Sequence, residues 1–129
     1  MSLKSIINVI LNSTNQDLNE AITSWGMDLK IKAHSTVLYI QTKIWQGQDC
    51  IPSTIRQSLF ESRYKDPYLS YFTIDEDHNA VFLNYQGRRH GNDAVALKEF
   101  IKEFGLYSKK CHTSLKKKSS QADSCPLNT

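Results

Sequence analysis

The chain of 129 residues is 40% hydrophobic with only 5 Gly and 3 Pro, which excludes collagen-like, mucin-like and wholly disordered chains. No apolar run approaches the roughly 20 residues of a membrane-spanning helix. The net charge of +3 is unevenly held: residues 108–129 carry five lysines against Asp123 alone, a net +4, which leaves residues 1–107 at −1, so the body has no electrostatic reason to meet nucleic acid.

Leu3, Ile6, Ile7, Ile10 and Leu11 recur at helical spacing, and Leu18, Ala21, Ile22 and Trp25 do so again. Between them Ser13 and Gln16 can form a capping box. Two helices are expected, 3–12 and 15–25, with Gly26 as the stop after the second. Leu29, Ile31 and Ala33 alternate with polar residues as in a strand, and His34-Ser35 turns into a second strand over Thr36–Trp45. Gly47–Pro52 is a loop. Ser53 then caps a short helix over about 53–64 with Ile55, Leu59 and Phe60 apolar, which Asp66-Pro67 ends.

Tyr68–Ile74 and Ala80–Tyr85 are expected to form a hairpin around the polar stretch Asp75–Asn79. After Gly87–Gly91, Asn92 caps a last helix whose apolar stripe is Leu97, Phe100, Ile101 and Phe104. The order α-α-β-β-α-β-β-α implies a single α+β domain over residues 1–107, with an antiparallel, twisted sheet. Residues 108–129, rich in Lys and Ser without apolar periodicity, are expected to be a disordered basic tail.

The strands carry apolar residues on both faces. Leu38, Ile40 and Ile44 share one face of the strand 36–45, while Val37, Tyr39 and Trp45 share the other. A sheet with one wet face alternates more cleanly. Either helices cover both faces or one face meets a partner.

The chemistry-bearing residues assemble no active site. Asp75, Asp77 and Asn79 match the opening of a calcium loop, but Ala80 stands where glycine is required and Gln86 where the bidentate glutamate belongs, so the stretch is a polar turn. Cys111, His112 and Cys125 have no metal-ligand spacing. His34, His78 and His90 fall in turns or connections, with no spacing that implies a pairing with a nucleophile. Arg88-Arg89-His90-Gly91 is a basic connection that could hold a phosphate at the following helix, although no glycine-rich phosphate loop is present. No cofactor or metal is expected, and the chain is expected to be a binding protein rather than an enzyme. Three cysteines, an odd number with two in the polar tail, point to a reducing, cytoplasmic setting. The start Met1-Ser2-Leu3-Lys4 lacks the features of a secretory leader.

From Leu29 onward the pattern becomes familiar. Strands to Trp45 lead into the helix Pro52–Arg63, then the hairpin Tyr68–Leu83, then the Phe-rich helix Ala94–Tyr107. This order resembles the small type III secretion chaperones of bacteria that serve effectors. The resemblance implies a cytoplasmic homodimer paired through Ile55, Leu59 and Phe60. It also implies that an effector segment is held extended against Val37, Tyr39 and Trp45, in the manner of strand addition. The alternative is a small host- or nucleic-acid-interacting protein that acts through its basic tail, and a small enzyme is a third possibility.

Overall fold

The computed structural model describes residues 2–12, 17–62, 70–88 and 94–121. In chain order the elements are α1 (Leu3–Asn12), β1 (Leu18–Ser24), β2 (Met27–His34), β3 (Val37–Gln46), α2 (Ser53–Ser62), β4 (Tyr71–Asp75), β5 (Ala80–Arg88) and α3 (Ala94–Gln121). All strand pairs are antiparallel, in the spatial order β1-β2-β3-β5-β4. The α+β class is as expected. The element order is corrected at one place, because the second expected helix is strand β1.

That correction has a simple cause. Leu18 and Ile22 are four residues apart, a spacing common to one helix face and to alternate positions of a strand. In the fold Leu18 pairs with Ala33, and Ile22 with Leu29, across the β1–β2 ladder. Gly26 closes no helix. Trp25 and Gly26, at φ 54° and 75°, form the two-residue turn of a hairpin whose twist matches its strands. A tryptophan in this left-handed region costs about 1–2 kcal/mol.

The helices cover one face of the sheet. Met27, Leu29, Ile31 and Ala33 of β2, Leu38, Ile40 and Ile44 of β3, and Val81 and Leu83 of β5 are buried there. They form one core with Ile6, Ile7 and Ile10 of α1, Ile55 and Leu59 of α2, and Leu97, Ile101 and Phe104 of α3. The other face is wet: the intervening positions of β2 are all exposed. Among the described residues, the apolar residues on both faces of the strands are therefore not matched by helices on both faces.

Trp45 does not join Tyr39 on the outer face. A bulge between Lys43 and Trp45 shifts the register, so that Trp45 pairs with Val81 and is buried on the helix side. A bulge adds one residue and thereby turns every later side chain over.

The expected tail is also corrected. α3 runs unbroken to Gln121, well past the boundary placed at Tyr107. Ser108 is fully buried and Leu115 nearly so. The Ser108 hydroxyl donates to the Phe104 carbonyl at 2.7 Å, His112 Nδ1 to the Ile44 carbonyl at 2.9 Å, and Lys118 Nζ to Ser58 Oγ at 3.0 Å. These hydrogen bonds add to the single apolar anchor Leu115, which packs into the core with Cys111 against it. Gly105 lets the helix approach the β1–β2 turn, since a Cβ there would meet Ser24 Oγ at 2.4 Å and Ser24 Cβ at 2.7 Å. Residues 122–129 of the expected tail lie outside the described residues, as do the Ser13–Gln16 capping box, the end of the expected helix 53–64, Arg89–Gly91 and Asn92.

At the start of α1 the Ser2 hydroxyl accepts from the Ser5 amide at 3.2 Å, an N-cap contact. α2 closes its first turn on the Pro52 carbonyl, which accepts from the Arg56 amide at 3.2 Å, so Pro52 holds the cap position rather than Ser53. No helix among the described residues is long and apolar enough to cross a membrane.

Candidate functional site

Two surfaces stand out. The first is the middle of the open sheet face. Cross-strand pairing aligns Tyr71, Asn84, Gln41 and Lys30 in one row over β4, β5, β3 and β2, with Gln86, Tyr39 and Lys32 in the next row. Asn84, almost buried, organises the floor. It donates to Thr73 Oγ1 at 2.9 Å and to the Tyr71 carbonyl at 3.2 Å, and accepts from Gln41 Nε2 at 2.8 Å. A polar ladder satisfied in this way is rigid. Tyr39 and Tyr71 stand up from it, 37% and 46% exposed, over a shallow cleft of about 340 Å³. Lys30 and Lys32 line the same cleft, and no carboxylate pairs with either among the described residues.

The second surface is a groove of about 370 Å³ between α2 and the edge strand β4, lined by Leu59, Phe60, Tyr71, Phe72 and Ile74 with Arg56 at its rim. Phe60 is 64% exposed and Ile74 37%. Exposed apolar side chains that adjoin one another in this way mark an interaction surface more often than an isolated one does. Arg56 donates to Glu76 at 2.9 Å and to the Ile51 carbonyl at 3.3 Å, tying α2 to the β4–β5 turn. The hydrogen bond from Arg56 holds the Glu76 carboxyl below the usual carboxylate range, and Glu76 in turn raises Arg56.

The residues singled out in the sequence divide between these surfaces and the core. Of Ile55, Leu59 and Phe60, only Phe60 faces solvent; Ile55 is fully buried and Leu59 shows only an edge to the groove. Of Val37, Tyr39 and Trp45, Tyr39 lies in the open-face cleft, Val37 is half-buried at the start of β3, and Trp45 is spent in the core. Tyr71, Ile74 and the Gln41–Asn84 ladder were not singled out. The pairing register that brings them together joins residues far apart in sequence, and only the alternation of Tyr71 with Phe72 hinted at it.

The turn Asp75–Asn79 is occupied with its own hydrogen bonds. Asp75 holds His78 Nδ1 at 2.8 Å, which lowers the Asp75 pKa, and the Asn79 amide donates to the Gln48 carbonyl at 3.2 Å. No group of three potential metal ligands gathers among the described residues.

No protein-family model matches the chain, and no curated protein does. Among solved structures it is similar to a chain of the heterodimeric complex ExoU–SpcU from the type III secretion system of Pseudomonas aeruginosa. The likeness covers 78% of this chain and 87% of that one at 14% identity, with a TM-score of 0.50, and is therefore a likeness of fold.

Proposed function

We propose that this chain is a non-enzymatic binding protein of the type III secretion chaperone kind, which holds an effector segment in extended, secretion-competent form in the cytoplasm. The observation that carries the proposal is the sheet face opposite the helices, where Tyr39 and Tyr71 rise from an amide floor beside Lys30 and Lys32, which no carboxylate pairs among the described residues. An extended polypeptide fits such a face, because aromatic side chains supply contact area at low entropic cost and an open sheet edge supplies main-chain bonds. The likeness of fold to a chain of a type III secretion complex supports the same reading.

The groove beside β4 supports a homodimer. Phe60, Ile74 and Tyr71 give it an apolar surface that a second copy can cover around a two-fold axis. Ile55 anchors α2 from within the core and acts on the pairing only by placing Phe60. The reading is tested by co-expressing the chain with candidate effectors from its own genome. A stable complex protected from proteolysis, lost on Tyr39→Ala with Tyr71→Ala, is the expected outcome. Equal capture by the double variant removes the open face from the proposal.

A further inference from the structure

The lysine run is not a tail but one side of a rigid helix. Its buried positions are Ser108 and Leu115, while Lys109 and Lys110 after the first and Lys116 and Lys117 after the second are all exposed. Seven residues advance a helix about 10.5 Å and nearly close two turns. Lys109 and Lys116 therefore stand in one row and Lys110 and Lys117 in the next. Lys98 and Lys102, also exposed, continue the first row toward the start of α3. No acidic residue occurs between Glu103 and Asp123, and among the described residues no carboxylate pairs with Lys109, Lys110 or Lys116.

A second observation lies against this row. Lys109 Nζ stands 3.9 Å from the point where a side chain on Gly26 would begin, so its ammonium rests on the β1–β2 turn. That turn presents Trp25, 58% exposed, with a left-handed backbone at φ 54°. A tight turn of this kind prefers Asn, Asp or Gly. Here it carries a bulky ring under backbone strain and out of the core. Strain of this kind, when observed, is a pointer to function.

We propose that the outer side of α3 and Trp25 together dock the protein on an anionic lipid surface. Tryptophan suits the headgroup region because one part of its ring is apolar and its N–H is polar. Lysines grouped on one helix face are drawn to acidic leaflets. All the cations are lysines, point charges without the bidentate geometry that reads phosphates in nucleic acid. Lys110 borders one described cleft, but Lys109, Lys116 and Lys117 border none, so the row suits a flat, laterally mobile array of charge better than a peptide inserted in a groove.

The test is sedimentation of the full chain with phosphatidylcholine vesicles, with and without phosphatidylserine, at low and high salt. Binding is expected only with phosphatidylserine and only at low salt. Lys109→Gln with Lys110→Gln is expected to weaken it about fivefold per lysine. Trp25→Asn separates docking from folding: it relieves the turn, so it is expected to keep or raise the melting temperature while weakening vesicle binding. The proposal is overturned if vesicles do not bind, if neutral vesicles bind equally, or if both variants bind like wild type. Binding of a poly-dT oligonucleotide that the same lysine changes abolish, without vesicle binding, also overturns it. None of these outcomes bears on effector capture.

Discussion

His112 on α3 and Ile44 on β3 are joined by a 2.9 Å hydrogen bond across 68 positions of sequence, so the lysine-rich half of α3 is fastened to the middle strand of the sheet. Leu115 is packed into the core a turn further on. Truncation after Tyr107 is therefore expected to lower the melting temperature by more than about 5 °C, and Leu115→Ala alone to cost about 2–5 kcal/mol. Thermal melts of the two variants beside wild type check this, and an unchanged melting temperature for either would refute it.

Gly105 sits where α3 passes Ser24. Alanine is the better helix former by about 1 kcal/mol, yet its Cβ would overlap both the Ser24 side-chain atoms, and overpacking costs about 1–3 kcal/mol. Gly105→Ala is expected to destabilise the fold. Pairing it with Ser24→Gly is expected to recover the loss, which chemical denaturation of the double variant measures.

Thr42 is nearly buried on the helix side of β3, and its hydroxyl has no hydrogen-bond partner among the described residues. Thr42→Val removes an unsatisfied polar group at almost constant shape. The expected outcome is a stability equal to wild type or greater by up to about 1–3 kcal/mol. A clear loss of stability in urea would mean that the hydroxyl is satisfied.

The Arg56–Glu76 pair ties α2 to the β4–β5 turn. Glu76 is held below the usual carboxylate range by Arg56. A depressed carboxyl stabilises the fold above its unfolded-state pKa and loses that contribution as pH falls through its folded-state pKa. Arg56→Gln is thus expected to lower the melting temperature slightly at neutral pH, and the gap from wild type is expected to close on acidification below the carboxylate range. A gap that widens in acid contradicts the assignment.

The class of the fold was legible because long-period signals were strong. The β2 alternation and the Leu97–Phe104 stripe each state one face without ambiguity. β1 was misread because Leu18 and Ile22 satisfy both periods, and only pairing with β2 decides between them. Trp45 was misplaced because a single bulged residue reverses the faces after Lys43, a feature without a composition signal. The end of α3 was missed because Leu115 is a lone apolar residue among lysines and serines, and its other anchors are the buried Ser108 and hydrogen bonds from His112 and Lys118. The candidate surfaces were legible only as single residues, Tyr39 and Phe60, whose neighbours Tyr71 and Ile74 come from a distant strand.

Leu59, one of the three residues expected to pair two copies, is 7% exposed, and a carboxylate there is expected to unfold the chain. Phe60→Glu is the informative change. It is expected to leave circular dichroism unaltered and to convert a dimer into a folded monomer in analytical ultracentrifugation. A wild-type chain that is monomeric at high micromolar concentration would remove the dimer.

The central claim, that the open sheet face holds an extended partner, is tested most directly by native mass spectrometry of the chain purified from its own cells, with Tyr39→Ala and Tyr71→Ala together as the comparison. The expected result is a stoichiometric protein partner on the wild type that is absent from the double variant, both chains having the same melting temperature. Recovery of the wild type with no partner, or of the same partner on both chains, would contradict it.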